Sequence, residues 1–209
     1  MPPISAVPAI FVADAPALDF LNSIATPVDE EVDWLADARG LLDWLAQSGW
    51  VAPQTLAHIE AGALPGELEA VATQTRALRD WFRTFVSKYA GNTLPTEALS
   101  DLATLNRLLD RDDKFSQIAA SQHSPAQLEL QSHRRWRTPD ALLLPIAEVL
   151  ARFICEEDFS NIKSCEGTRC TLMFVDHTRG KKRRWCSMSV CGNRAKAAAH
   201  RERQKATDD

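Results

Sequence analysis

The 209-residue chain is poor in the residues that mark most chemistries. It has one tyrosine, three methionines, eight glycines and five cysteines. It carries no glycine-rich phosphate loop and no His-Glu-x-x-His pair, and nothing repeats at a fixed period. These absences exclude the common nucleotide cradle, the usual hydrolytic zinc centre and a solenoid. No nucleophile–base pair stands out, which argues against a small-molecule enzyme with an added metal module. No run of eighteen uncharged apolar residues occurs, so no membrane span is expected. The opening MPPISAVPAIF has no basic segment ahead of its short apolar stretch and does not read as a signal peptide. The expected compartment is cytoplasmic and reducing, where grouped cysteines hold metal more often than they form disulfides.

What is present is charge, unevenly placed. Residues 1–160 carry 12 Lys/Arg against 23 Asp/Glu, whereas residues 161–205 carry 12 basic and 3 acidic groups. This split suggests an acidic unit over 1–160 and a basic one over 161–209, only the second suited to a polyanion. The alternative for the basic face is docking on the acidic unit or simple solvation.

The acidic unit reads as mainly helical. Four prolines in residues 1–16 suggest an extended arm, and ALDFLNSIA (17–25) a short helix. DWLADARGLLDWLAQSGW places Leu35, Ala38, Leu41, Leu42 and Leu45 at helical spacing, with Asp33 as a cap and Gly49 as the stop. Residues 65–90 hold the longest stripe: Leu68, Val71, Leu78, Trp81, Phe82 and Phe85. Thr96 is expected to cap a further helix. KFSQIAAS (114–121) and AQLELQSHRRW (126–136) read as a small β-hairpin across His123-Ser124-Pro125. Residues 139–158 return to helical spacing, with Pro145 able to kink them and Cys155 expected to be a buried small hydrophobe. HRRWR (133–137) is a basic patch, suited either to an anion or to nearby acids.

Four of the five cysteines fall within 27 residues: Cys165 and Cys170, then Cys186 and Cys191, each pair separated by four residues. Four thiolates at about 2.3 Å from one ion close a tetrahedral structural Zn2+ site with no open position for water. The same thiolates also suit an iron–sulfur centre, and grouped thiols can serve redox chemistry. A unit of this size needs such a staple. Gly167 would ease the first turn, and TLMFV (171–175) would run out as a strand to a turn at Thr178-Arg179-Gly180 and back to Cys186. This predicts a zinc-ribbon-like or treble-clef-like module with a helix near 190–205.

Arg179, Lys181, Lys182, Arg183 and Arg184 directly precede the third cysteine, and Asn193, Arg194, Lys196 and Arg201 follow the fourth. Pinned by one metal, they form a positive surface for DNA, with RNA as an alternative. Trp185 serves either to pack the small core or to stack on a base.

These residues carry a resemblance. DHTRGKKRRWCSMSVCGNRAKAAAHRER closely resembles the CGNR zinc-finger family, named for Cys191-Gly192-Asn193-Arg194. ALDFLNS (17–23), GLLDWLAQSG (40–49) and LLLPIAEVLARFI (142–154) resemble the ABATE domain that accompanies it. The resemblance implies bacterial, stress-linked transcription regulation through DNA binding by the zinc finger. It marks the four cysteines as metal ligands, and Arg183, Arg184, Asn193 and Arg194 as the motif's polar core. Where the family has Asp-x-Ser-Arg-Asn, this chain has Asp176-His177-Thr178-Arg179-Gly180; the change leaves the metal ligands intact.

The helical unit is then expected to regulate, sense an effector or dimerise. Asp19, Asn22, Trp44 and Trp81 are candidates to line an effector pocket, with helix capping and core packing as the alternatives. A zinc-stabilised adaptor for acidic protein surfaces is a competing reading of the whole.

Overall fold

In the computed structural model, which describes residues 8–26, 30–121, 126–197 and 204, the longest apolar stripe becomes the central helix. Before it come α1 (Pro16–Leu21), a short ladder of β1 (Ile24–Ala25) with β2 (Val32–Asp33), α2 (Ala38–Ser48) and α3 (Pro53–Gly62). The central helix is α4 (Glu67–Tyr89). A 3-10 helix (Thr96–Leu102) leads into α5 (Ala103–Leu109), and the antiparallel hairpin β3 (Lys114–Ala120) and β4 (Leu128–Arg134) follows. A 3-10 turn (Pro139–Leu142) enters α6 (Leu143–Glu156), and β5 (Ile162–Ser164) pairs antiparallel with β6 (Met173–Val175). The chain is thus mainly helical with small antiparallel hairpins, as its periodicity predicts.

Val71, Leu78, Phe82, Phe85 and Val86 of α4 are buried, and Glu67, Glu69 and Lys88 sit at the helix ends that favour their charge. Helices α1, α2 and α6 pack on it. Phe20, Trp44 and Trp50 form one aromatic nest, and Phe82, Phe153 and Phe159 another. The core does not end with the helices. Phe174, Val175 and three of the grouped cysteines belong to the same buried cluster as Leu18 and Leu150.

Arg79 lies within the apolar stripe and is buried. Its guanidinium donates to both Asp33 oxygens, at 2.7 and 2.9 Å, and to Ser23 Oγ at 3.2 Å. Burial works to raise the Asp33 pKa, but the hydrogen bonds and charge of Arg79 outweigh it and hold the carboxyl below its ordinary range. Arg83, one turn on, donates to the carbonyls of Leu21 and Ile24, where α1 ends. Two arginines of α4 therefore hold the end of α1 and the β1–β2 ladder in place.

Several local expectations change. Asp37, not Asp33, caps α2 by accepting from Gly40 N–H, because Asp33 is committed to Arg79 and Leu35 N–H. Gly49 ends α2 in the left-handed conformation (φ 71°), as expected. Thr96 makes no cap, since the segment after Pro95 starts as a 3-10 helix with no side-chain bond at its start. Pro145 sits in the first turn of α6, where no intrahelical N–H bond is lost, and produces no break. Cys155 is exposed, because the buried stripe of α6 runs through Leu150, Phe153 and Ile154 and turns the next position outward.

The β3–β4 ribbon is tied at its base by Arg134 to Asp112 and Glu148, and by Lys114 to Glu148. Its registered pairs Ile118–Leu130 and Ala120–Leu128 share one face. Ile118, Leu128 and Leu130 on that face are 68–78% exposed.

Candidate metal centre and nucleic-acid interface

Cys165 directly follows β5 and Cys170 precedes β6, so the first pair closes the loop of a hairpin. Cys165 N–H donates to Leu172 O at 2.9 Å, and Cys170 N–H to Gly167 O at 3.0 Å. The second pair spans a tight π-type turn, Met188–Gly192, in which Gly192 N–H donates to Ser187 O at 3.0 Å. Residues 193–197 continue as helix. The return strand expected before Cys186 does not form. β6 instead finds its partner upstream, in β5, and residues 181–185 are irregular.

The four Sγ atoms all lie within 4.8 Å of one another; Cys170 and Cys186 are 3.9 Å apart, and Cys186 and Cys191 3.6 Å. A tetrahedron with Zn–S bonds near 2.3 Å has edges of about 3.8 Å. Backbone N–H groups of Gly167 and Cys186 point at Cys165 Sγ (3.4 and 3.3 Å), and Arg194 Nη2 lies 3.4 Å from Cys191 Sγ. Such donors stabilise thiolates. Gly167 has a role different from the expected turn: a Cβ there would come within 2.9 Å of Cys191 Sγ. The cluster has the geometry of a structural zinc site.

Four sulfurs this close do not all ionise alone. A hydrogen bond from Cys186 pushes the Cys170 thiol down to about 5. That same bond, with burial, pushes Cys186 up, and burial pushes Cys191 up. An ion would replace the shared protons as the source of attraction.

The basic segment between the pairs is organised by Asp176, which is fully buried. Its carboxylate accepts from Lys163 Nζ (2.7 Å), Thr178 N–H (3.0 Å), Thr178 Oγ1 and Arg183 N–H (2.9 Å). Burial raises its pKa, but these donors, Lys163 first, bring it far below the carboxylate range. Lys181, in a left-handed conformation (φ 48°), donates to Asp176 O at 2.9 Å. Residues 176–183 are thereby closed into a ring around one carboxylate.

The sequence-predicted basic residues divide. Arg179, Lys182 and Lys196 are exposed with no carboxylate partner among the described residues. Arg184 is exposed, paired with Glu166 at 2.6 Å and lying 5.1 Å over the ring of Trp185, which itself packs against the core. Asn193 is exposed and its amide reaches Ser189 O at 3.4 Å. Arg194 leans on the cysteine cluster. Arg201 lies outside the described residues. Arg183 is turned inward: Nε donates to Trp185 O, Nη2 to Val12 O and Cys186 O, and Nη1 to Asp14 and Val175 O, with the guanidinium 4.2 Å over Phe174. His177 pairs with Glu157 rather than reaching the sulfurs.

The four residues expected around an effector are all occupied in the fold. Asn22 is buried, its Nδ2 donating to Met173 O (2.8 Å) and its Oδ1 accepting from Met173 N–H (2.9 Å). It pairs with β6 as a neighbouring strand would. Trp44 is core, in edge contact with Phe20 and Trp50, and Trp81 stacks on Phe85. Asp19 Oδ1 accepts from Val12 and Ala13 N–H at 2.9 and 3.0 Å, pinning the arm. In HRRWR, Arg134, Arg135 and Arg137 all meet acids, at Asp112, Glu148 and Asp113.

Burial raises the Asp19 pKa to about 6 despite its two N–H donors, with Asp14 adding a smaller push. The folded pKa exceeds the unfolded one, so this group favours folding below the unfolded value and loses that contribution as pH rises through about 6. Asp19→Asn keeps Oδ1 as acceptor. Its stability relative to wild type, read from urea midpoints, is expected to improve from about pH 4 to about pH 6 and to level off above that. A pH-independent difference would count against this assignment.

No described helix is long and apolar enough to cross a membrane. No curated protein matches the chain significantly. The profile of the ABATE family, whose description is "Putative stress-induced transcription regulator", matches residues 14–157, and that of the CGNR zinc finger matches residues 161–204. These are regulatory and zinc-finger families, not catalytic ones. The chain belongs to the ABATE family, with a CGNR zinc finger following the ABATE region.

Proposed function

We propose that this protein is a transcription regulator that binds DNA through its zinc module, the metal serving as structure and not as catalyst. The observation that supports this most is the way one cysteine cluster gathers two basic pieces of chain. The Asp176-centred ring presents Arg179 and Lys182, and the helical segment after Cys191 presents Lys196, all exposed and without acid partners among the described residues. The acidic body does not cover these groups; among the described residues its ion pairs with the module are Arg183–Asp14 and His177–Glu157. Such a surface neutralises phosphates, and Asn193 and Arg184 add donors able to meet base edges.

The test is selection from random duplex DNA with zinc-loaded and zinc-free protein. Enrichment of one motif by the loaded form supports regulation. Selective capture of one acidic protein surface, with no DNA retention, would mean an adaptor instead. The double substitution Arg179→Ala, Lys182→Ala is expected to keep its zinc and to weaken DNA binding across all sequences. The slope of log K against log salt should fall by about 2.

The same reading gives the helical body a dimerising role. The tip of the β3–β4 ribbon exposes Ile118, Leu128 and Leu130 beside Ser116 and Ser132, an uncharged face able to meet its own copy across a two-fold axis. Leu130→Arg is expected to shift sedimentation from dimer to monomer, while Leu64→Arg, at a leucine also 68% exposed, leaves the dimer intact. A wild type that sediments as a monomer at all concentrations refutes the role.

A further inference from the structure

With Asp19, Asn22, Trp44 and Trp81 taken up by packing, an effector must bind elsewhere, and the body offers a different place. Between α4, α5 and the start of α6 runs a cleft of about 430 Å3, within the size range of small-molecule sites. Its floor is apolar, from Ala77, Leu78, Leu108 and Leu143. Its wall carries Arg107 and Arg111 and no acidic residue. In a unit with 23 acidic and 12 basic residues, a cleft bordered only by positive charge runs against the local field.

The two arginines differ in what they hold. Arg111 is paired with Asp140. Arg107 donates to Thr104 Oγ1 at 3.1 Å and has no carboxylate partner among the described residues. The site therefore offers one uncompensated positive charge, in a planar fork that suits a carboxylate. A second cleft of about 380 Å3 along Val71 and Pro139 shares Arg111 and Gln74 with it, but Glu67 and Asp140 border that one, so the apolar portion of a ligand belongs to the first cleft.

We propose that this cleft binds an amphipathic monocarboxylate, with the carboxylate on Arg107 and the apolar tail on Leu78, Leu108 and Leu143. This rests on reading the helical body as the effector-sensing part of the regulator, but binding itself requires no DNA. The cleft's occupant touches α4, and α4 holds the end of α1 through Arg83, next to the Asn22–Met173 pairing. Ligand and zinc module are thus joined by a short chain of packed elements.

The experiment titrates zinc-loaded, full-length protein with octanoate, octylamine and octanol by calorimetry, without DNA. Octanoate is expected to bind saturably at one per chain, at least about tenfold tighter than octylamine or octanol, a difference of about 1.4 kcal/mol. Arg107→Ala should weaken octanoate about tenfold and remove its preference over octanol. Ala77→Trp, at an exposed helical position that tolerates size, should fill the floor and weaken octanoate and octanol alike. Equal binding of the three probes, an unchanged affinity in Arg107→Ala with native circular dichroism, or no saturable binding would each overturn the proposal. Because no readout involves DNA, a failed DNA selection leaves this result standing, and the reverse holds too.

Discussion

Cys186→Ser is expected to leave the protein without stoichiometric zinc and without measurable DNA binding, while most of its helical circular dichroism survives. Cys186 is buried, its sulfur close to those of Cys170 and Cys191, and its N–H points at Cys165 Sγ. Serine is a poor ligand for a thiolate cage and leaves three thiols crowded without an ion. Structural zinc in small fingers contributes apparent free energies of about 10–16 kcal/mol at neutral pH, far more than the stability of a module this small. The helices keep their own core around Phe20, Trp44, Phe82 and Leu150, so the body is expected to persist at a lower melting temperature. DNA affinity should drop by at least about a hundredfold, or about 2.7 kcal/mol, because the ring at residues 176–183 and the segment after Cys191 are no longer held together. Metal content, near- and far-ultraviolet dichroism and DNA retention read the three effects separately. A metal-free Cys186→Ser protein that still binds DNA tightly sinks the proposed function.

The features that could be read from the chain were local ones. The α4 stripe, the β3–β4 hairpin with its Leu128 and Leu130 alternation, the Gly49 stop and the grouped cysteines each lie within a window that periodicity or spacing can read. The connections that make the body and the metal module share a core were not local. Asn22 meets Met173 and Arg183 meets Val12 across more than 150 residues, through side-chain bonds to backbone that have no period. One non-local tie does leave a signal in the sequence. Arg79 sits beside Leu78 on the apolar face of α4, and a charge there demands a buried partner, which Asp33 supplies. Local spacing alone makes Asp33 a cap, because capping is the commonest use of an aspartate before a helix. The expected return strand failed for a similar reason. Residues 181–185 are long enough for a strand, but their carbonyls and N–H groups are claimed by Arg183, Asp176 and Glu166.

Arg183→Ala is expected to destabilise the whole chain by about 3 kcal/mol or more, and any loss of DNA binding should follow from that. Its guanidinium serves the carbonyls of Val12, Val175, Trp185 and Cys186 and the carboxylate of Asp14, and it covers the face of Phe174. Removing it strands several part-buried acceptors at about 1–3 kcal/mol each and opens a gap against the aromatic ring. Arg183→Lys retains the charge and the aliphatic stem but offers a single ammonium in place of a fork, so it should recover only a minor part of the stability. The two variants separate structure from recognition. If Arg183 acted chiefly on phosphate, alanine would leave the unfolding midpoint unchanged and lysine would restore most of the DNA affinity. If it acts as the clamp between arm, β6 and the third cysteine, both variants lose stability. Their DNA affinity, measured well below the unfolding midpoint with zinc bound, should then stay within a few-fold of wild type. Arg179→Ala, Lys182→Ala should give the opposite pattern, with unchanged melting and weakened binding, because those side chains are exposed and hold nothing in place.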